Sequence, residues 1–327
     1  MYKIALITGV NGQDGAYLSD FLIKKGYKII GILKSKHSNL DNLKYFNIEK
    51  LIHFQYSDLS DSKKIEEIIL KTLPDEIYNL GGLTSPGESW SKVNDYVNVN
   101  INSILGIING VKNSNKIIKI FQASTSEMFG NSNNLGLQTE NTPFHPTNPY
   151  AVTKLFGYWM TNIFKESNNL YIVNGILFNH ESPLRNIKFV TRKISDGIAK
   201  IKLGYEEFIT LGNINSKRDW GFAGDFVEGF WMSLQQDKAD NYIFSTGEIH
   251  TISNFLEIGF KHVGIYNWEK YVKIDEKYNR PINLMNLYGK NSKAKDILGW
   301  SPKVKFDSLI KMMIDEDIKR LKNNKYP

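Results

Sequence analysis

The chain opens on a short apolar run, Ile4 to Thr8, that breaks directly into Thr8-Gly9-Val10-Asn11-Gly12-Gln13-Asp14-Gly15 and then into a helical pattern from Gln13 to Lys25. A run this short and this evenly apolar suits a strand buried on both faces of a parallel sheet. The glycine spacing suits a strand–turn–helix unit whose backbone closes around a phosphate. Gly9 permits the tight turn, Gly12 lets backbone N–H groups approach the anion, and Gly15 lets the helix lie against the strand. A bare glycine triplet says little, but strand before and helix after give it weight. Asn11, Gln13 and Asp14 complete the candidate loop.

The same alternation continues downstream. Strand patterns are read at Lys28–Leu33, Ile52–Tyr56, Glu76–Leu80, Ile117–Ala123 and Tyr171–Phe178. A helix is read at Ser62–Leu73, where Ile65, Ile68, Ile69 and Leu73 share one face. Strands alternating with helices imply right-handed βαβ units, hence an α/β, Rossmann-type doubly wound parallel sheet. The pattern loosens after about residue 180, with helices expected at Phe189–Leu203, Phe226–Leu234, Phe255–Val263 and Asp307–Lys322. A chain of 327 residues without a low-complexity linker is long enough for about two domains. The expected division is 1–180, with a return segment near 215–245, as the dinucleotide-binding domain. Residues 181–327 then form a smaller, mostly C-terminal α/β domain for the substrate.

Composition narrows the function classes. There is no cysteine, which excludes disulfides, thiolate metal sites and thiol catalysis. No metal site is expected. No apolar stretch has the length of a membrane span, and Met1-Tyr2-Lys3 leads straight into the first strand, so a cytoplasmic protein is expected. The net charge of +7 is spread along the chain and not gathered into an Arg/aromatic stripe, so nucleic acid is not the expected partner.

Two places bear on the nucleotide. An acid at the end of the second strand would accept from a ribose 2′-hydroxyl and select NAD. This chain reads Leu33-Lys34-Ser35-Lys36-His37 instead. Two lysines and no acid favour the 2′-phosphate of NADP over NAD, unless both are surface charges. After the third strand, Ser57-Asp58-Leu59 places Asp58 either near an adenine amino group or at a helix cap.

The chemistry is concentrated further on. Tyr150 and Lys154, four residues apart in Pro149-Tyr150-Ala151-Val152-Thr153-Lys154, share one face of a helix. A lysine beside the phenol would favour the phenolate, which can take a proton from a sugar hydroxyl as hydride leaves its carbon. The fifth strand ends at Ser124-Thr125-Ser126-Glu127, where side chains emerge from a parallel sheet. Thr125 can hydrogen-bond the reacting C4 oxygen. Once C4 is a ketone the C5 hydrogen is acidic. A partly desolvated Glu127 can remove it and then protonate the departing C6 hydroxyl.

These residues resemble the extended short-chain dehydrogenase/reductases, of the NAD-dependent epimerase/dehydratase kind, and within them the GDP-mannose 4,6-dehydratase family. The most specific stretches are Gln122-Ala123-Ser124-Thr125-Ser126-Glu127, Gly175 to Pro183, Phe189-Val190-Thr191-Arg192-Lys193-Ile194 and Lys217-Arg218-Asp219-Trp220-Gly221. The resemblance implies conversion of GDP-mannose to GDP-4-keto-6-deoxymannose, by C4 oxidation, loss of water across C5 and C6, and hydride return to C6. It implies Thr125, Glu127, Tyr150 and Lys154 as the catalytic set, Lys154 also holding the nicotinamide ribose. To the loop residues, Lys34, Asp58 and Leu59 it adds Leu80, Gly81, Gly82, Thr84, His180 and Arg185 as cofactor contacts. Ser85, Ser89, Asn179, Val190, Lys193, Arg218 and Arg280 would meet the GDP-sugar. A homo-oligomer, dimer or tetramer, is also implied.

The chain departs from the family in two loops. It carries Thr84-Ser85-Pro86 where the family has Ser-His-Val, and Lys34-Ser35 where the family has paired arginines. The first departure keeps other GDP-hexoses and GDP-manno-heptose open as substrates. A related nucleotide-sugar 4-epimerase or 4-dehydrogenase is the further alternative, although neither reaction needs an acid/base at C5 and C6, and Glu127 supplies one.

Overall fold

The computed structural model describes residues 2–130, 137–278 and 287–323. Its frame is a seven-stranded, wholly parallel sheet. The strands are β1 (Ile4–Thr8), β2 (Lys28–Leu33), β3 (Ile52–Tyr56), β4 (Glu76–Asn79), β5 (Lys119–Thr125), β6 (Ile172–Leu177) and, after four short strands, β11 (Tyr242–Phe244). The four short strands are β7 (Asn179–Glu181), β8 (Ile209–Leu211), β9 (Lys217–Arg218) and β10 (Trp220–Phe222); β12 (His250–Thr251) and β13 (Val272–Ile274) follow β11. The helices are α1 (Gln13–Lys24), α2 (Asp41–Tyr45), α3 (Ser62–Thr72), α4 (Val93–Lys112), α5 (Pro149–Asn168), α6 (Val190–Lys202), α7 (Ala223–Leu234), α8 (Ile252–His262) and α9 (Phe306–Lys322). None of the described helices is long and apolar enough to cross a membrane.

The strand order β11-β6-β5-β4-β1-β2-β3 reverses direction of progression between β1 and β4. A crevice therefore opens beyond the carboxyl ends of those strands, where open α/β sheets place their ligands. One layer of core under the sheet joins Ala5, Ile7 and Val173 to Phe226, Phe230, Phe244 and Trp300. The other face is covered by α3 and α4 through Ile65, Ile69, Ile104, Ile107 and Ile108. A further cluster belongs entirely to later residues, with Ile194, Ile198, Trp220, Phe260, Ile310 and Met313 binding α6, α8 and α9 together.

Among the elements that escaped the sequence reading, one long helix and one strand of the main sheet stand out. The 20-residue α4 begins Val-Asn-Asp-Tyr-Val-Asn-Val-Asn, and its early asparagines hide the apolar stripe. The three-residue β11 is too short to show a period. The fifth strand also needs correction. It runs from Lys119 to Thr125 and not from Ile117 to Ala123: Ile117 is exposed, while Ser124 and Thr125 continue the ladder opposite Ile176 and Leu177. Polar residues buried by a neighbouring strand carry no hydrophobic signal.

The glycine loop is built as its spacing demands. Gly9 has φ +66°, and a side chain there would meet the backbone of Gly81 on β4's exit. A β-carbon at Gly15 would lie 2.2 Å from the Gly9 carbonyl oxygen and 2.6 Å from the Val10 Cα. Neither backbone atom can yield without moving α1 off β1. Gly15→Ala is therefore expected to destabilise the protein by about 1–3 kcal/mol, read as a lowered Tm in thermal unfolding. A Tm equal to that of the parent chain would contradict this packing.

Candidate active site

The loop after β1 delivers α1 with its first turn open. Gly12 is the N-cap and makes no side-chain cap, so the first-turn N–H groups have no side-chain cap acceptor. Gly81 donates its N–H to Thr8 Oγ1 at 2.9 Å, which holds β4's exit beside this turn. Leu59 packs against Gly81. Asn11 turns outward, donating to the Asn39 carbonyl at 2.9 Å.

At the ribose end, Lys34 is exposed and ion-paired with Asp58 at 2.9 Å. Asp58 also accepts from the Ser60 N–H and hydroxyl at 3.0 and 2.8 Å. These bonds, the Ser60 backbone bond foremost and then Lys34, hold its carboxyl down at about 2. Of the two roles open to Asp58, the structure excludes the helix cap: Asp61 caps α3, accepting from the Lys64 N–H at 3.0 Å.

Gln13 and Asp14 tie the glycine loop to the segment after β6. Gln13 donates to the His180 carbonyl at 3.0 Å and accepts from Ser182 at 2.8 Å. Asp14 Oδ2 lies 2.9 Å from His180 Nε2, and His180 Nδ1 lies 2.7 Å from the Phe178 carbonyl. A carbonyl can only accept, so Nδ1 carries a proton; the carboxylate then favours a second on Nε2. Burial opposes that charge on both partners. Their mutual attraction wins, lifting His180 above the usual histidine value and pulling Asp14 below the usual carboxylate one. The result is a part-buried histidine–carboxylate pair in which the protonated ring is favoured, with the ring stacked on Phe226 at 4.7 Å. Arg185 is ion-paired with Glu181 at 3.1 Å and lies 3.6 Å over the Phe189 ring.

The catalytic candidates meet at the carboxyl end of β5. Thr125 is the last residue of β5, and its hydroxyl accepts the Glu127 N–H at 3.2 Å, turning the chain into a short 3₁₀ turn. That turn presents Glu127, buried and accepting from Asn148 Nδ2 at 2.9 Å. Asn148 in turn caps α5, accepting the Ala151 N–H at 2.9 Å ahead of Pro149 at the first helical position. Tyr150 therefore enters on the first turn of α5, hydrogen-bonded to Thr125 and edge-on to Tyr96.

The expectation that Lys154 lowers the Tyr150 pKa is not met in this arrangement. The Lys154 ammonium donates to the Ala123 carbonyl at 3.0 Å, on β5 and not to the phenol. Burial raises Tyr150 well above the usual phenol value, with the Thr125 bond opposing and the Glu127 charge adding. Burial also pulls Lys154 down to about 8. Between pH 8 and the ordinary lysine value of 10.5 the unfolded chain thus holds more protons than the folded one, and stability rises with pH. Below about 8 the penalty of the buried charge is fully present. Lys154→Met is expected to raise Tm at pH 7 while abolishing activity, the gain fading as pH approaches 10.5. The Ala123 carbonyl keeps a bond from Gln122 Nε2 at 3.1 Å, so no acceptor is stranded. A lower Tm at pH 7 would contradict the burial argument.

A cleft of about 1030 Å³ runs from this group to the far side of the crevice. Asp14, Leu80, Gly82, Thr84, Ser85, Asn179, His180, Arg185, Val190, Lys193 and Arg218 all line it, together with Thr125, Glu127, Tyr150 and Lys154. Ser89 does not: it is fully buried and donates to the Pro86 carbonyl at 2.7 Å. Arg280 lies outside the described residues. The departing loop is pinned from below, because the Tyr96 hydroxyl donates to the Ser85 carbonyl at 2.7 Å and accepts the Ser85 N–H at 3.1 Å. Arg218 is placed at the wall by its neighbour Asp219. That buried carboxylate accepts from the N–H groups of Thr246 and Gly247 and from the Thr246 hydroxyl.

The sequence reading missed Asn148, Tyr96 and the cleft-lining Lys277. Only Asn148 carried a local signal, a capping residue immediately before proline at a helix start. The others reach the cleft through contacts distant in sequence.

A sequence profile described as GDP-mannose 4,6 dehydratase matches residues 6–313. The chain belongs to the GDP-mannose 4,6-dehydratase family. It is 44% identical to GDP-mannose 4,6 dehydratase 1 of Arabidopsis thaliana, covering 99% of this chain and 92% of that protein. It is 40% identical to the human GDP-mannose 4,6 dehydratase, over 98% and 93% of the two chains. In fold it is similar to the dTDP-glucose 4,6-dehydratase of Bacillus anthracis, solved in complex with NAD, at a TM-score of 0.84 and 19% identity over 99% and 98% of the two chains. Membership in the GDP-mannose 4,6-dehydratase family makes this chain an enzyme of the hydro-lyase kind, on a Rossmann-type sheet.

Proposed function

We propose that this chain is an NADP-dependent GDP-mannose 4,6-dehydratase, forming GDP-4-keto-6-deoxymannose. The observation that carries the reading is the buried Thr125–Glu127–Tyr150 group at one end of a long cleft, with Lys193 and Arg218 in the wall for a diphosphate.

The glycine turn fits a dinucleotide: the first turn of α1 lacks a side-chain cap, and Gly15 admits no side chain between α1 and β1. Gly9, Gly12, Gln13, Asp14, Gly81, Gly82 and Lys154 would hold it, and Lys34 with Lys36 would favour a 2′-phosphate. Bound there, a nicotinamide supplies the acceptor for the C4 hydride and the donor for C6, and its positive charge favours the Tyr150 phenolate. Tyr150 takes the proton of the C4 hydroxyl while Thr125 hydrogen-bonds the same oxygen. Glu127 removes the C5 proton and passes it to the C6 oxygen, which leaves as water. A proton then returns to C5 as C6 is reduced; Tyr150 holds one, and it is exchangeable. C4 ends oxidised and C6 reduced, so the sum is loss of one water.

The division into a cofactor-binding 1–180, with its return segment, and a sugar-binding 181–327 is supported by the separate core of α6, α8 and α9. Exposed Val97, Val152, Trp159 and Ile163 on α4 and α5 support a homo-oligomer. A cytoplasmic setting accords with a chain without cysteine.

The test is incubation with GDP-mannose and NADP⁺ in D₂O, followed by mass spectrometry. Loss of water with deuterium at C5 is the expected result. The Thr84-Ser85-Pro86 loop lines the cleft and favours one second reading, another GDP-sugar as substrate. GDP-mannose recovered unchanged while another GDP-sugar loses water would decide for it.

A further inference from the structure

Glu127 and Tyr150 stand on different elements, a 3₁₀ turn after β5 and the first turn of α5. During the reaction they must serve neighbouring atoms of one sugar ring, Tyr150 at O4 and Glu127 at C5 and then O6. Their separation therefore has to be held to a fraction of an ångström. One side chain spans them. The Asn148 carboxamide accepts the Ala151 N–H through Oδ1 and donates to Glu127 Oε2 through Nδ2, both at 2.9 Å. The orientation of the amide is dictated, since the flipped form would set N–H against N–H and oxygen against a carboxylate.

The choice of residue is informative. Serine and aspartate cap a helix as well as asparagine does. Serine, with one short hydroxyl, cannot accept from Ala151 and also reach Glu127; aspartate would meet Glu127 with a like charge. Capping alone does not require an amide, whereas accepting from Ala151 through one atom while donating to a carboxylate through another calls for a side chain that carries both, as an amide does. Asn148 is buried, and Pro149 fixes the backbone between it and Tyr150.

We propose that Asn148 is a positioning residue for the elimination step, a bracket that sets Glu127 against the helix start carrying Tyr150. The proposal rests on the reading of Glu127 as the acid/base of a GDP-sugar dehydratase. It goes beyond that reading in assigning a role to a residue that touches no reacting atom.

Asn148→Ser keeps a capping oxygen and removes the amide donor; Asn148→Asp keeps the cap and opposes the carboxylate. Each is assayed with GDP-mannose for kcat and KM of water loss and for the fraction of nicotinamide standing reduced at steady state, with Tm alongside. The expected result for Asn148→Ser is a kcat lower by about tenfold to a hundredfold, KM within about twofold of the parent and reduced nicotinamide accumulating, because C4 oxidation is spared. Asn148→Asp falls further in the same pattern. A merely structural role would lower Tm and leave the partition between oxidation and elimination untouched. Parental kcat in Asn148→Ser, or a loss without accumulation of reduced nicotinamide, overturns the proposal; should that variant not fold, the same two outcomes are read on Asn148→Asp. Failure of the dehydratase reading looks different: the parent chain itself then releases no water from GDP-mannose. The comparison moves to whichever GDP-sugar it does dehydrate, and a parent that dehydrates none overturns both.

Discussion

Glu127→Gln, given GDP-mannose, is expected to reduce its nicotinamide and then stop. Glutamine matches the shape of glutamate and can keep an oxygen toward Asn148 Nδ2, so the 3₁₀ turn and the Thr125 bond should survive. What it cannot do is take a proton from C5 or deliver one to the C6 oxygen. Water loss should fall by about 10²–10⁴-fold, the usual contribution of a positioned acid/base. The reduced nicotinamide, with no C6 acceptor formed, should build up and be visible in the near ultraviolet. An epimerase or simple dehydrogenase would not need this carboxyl. Turnover of Glu127→Gln at the parental rate would therefore remove the dehydratase assignment, not merely weaken it.

Tyr150→Phe should fail one step earlier. The phenol is buried, bonded to Thr125 and edge-on to Tyr96, so phenylalanine fills the same space and leaves Thr125 its bond from Glu127 N–H. Stability should change little, and removing a phenol held against a carboxylate charge costs nothing electrostatic. Activity should fall by about 10²–10⁴-fold, now with neither reduced nicotinamide nor water loss and with no deuterium entering C5. The two variants are thus separated by where the cycle halts. If Tyr150→Phe accumulated reduced nicotinamide as Glu127→Gln does, Tyr150 would not be the group that takes the O4 proton.

The residues involved differ in how they could be found. Gly9, Gly12 and Gly15 are legible because their requirement is local: a strand, a turn and a helix within a dozen residues, each with its own spacing. Tyr150 and Lys154 are legible because four residues make one helical turn. Thr125 and Glu127 follow from their place at a strand end, even though the strand reached two residues further than its apolar run. Nothing local marks Ser89 as turned inward; only the folded loop, in which its hydroxyl meets the Pro86 carbonyl, decides that. Lys154 was placed on the right helix face, yet which neighbour its ammonium meets depends on β5 standing alongside α5.

By itself, then, the order of residues determined the doubly wound sheet, the phosphate-type turn and which side chains stand as candidates for moving protons. All of these depend on periodicity or on contacts within a turn or two of the chain. The tertiary structure decided which partner favours the protonated form of His180, namely Asp14, 166 residues away, and the environment of Tyr150. It also decided the bond from Asn148 that holds Glu127. Those are matters of burial and of hydrogen bonds between distant segments. A partner brought in by folding leaves no mark on the spacing of the residues it meets.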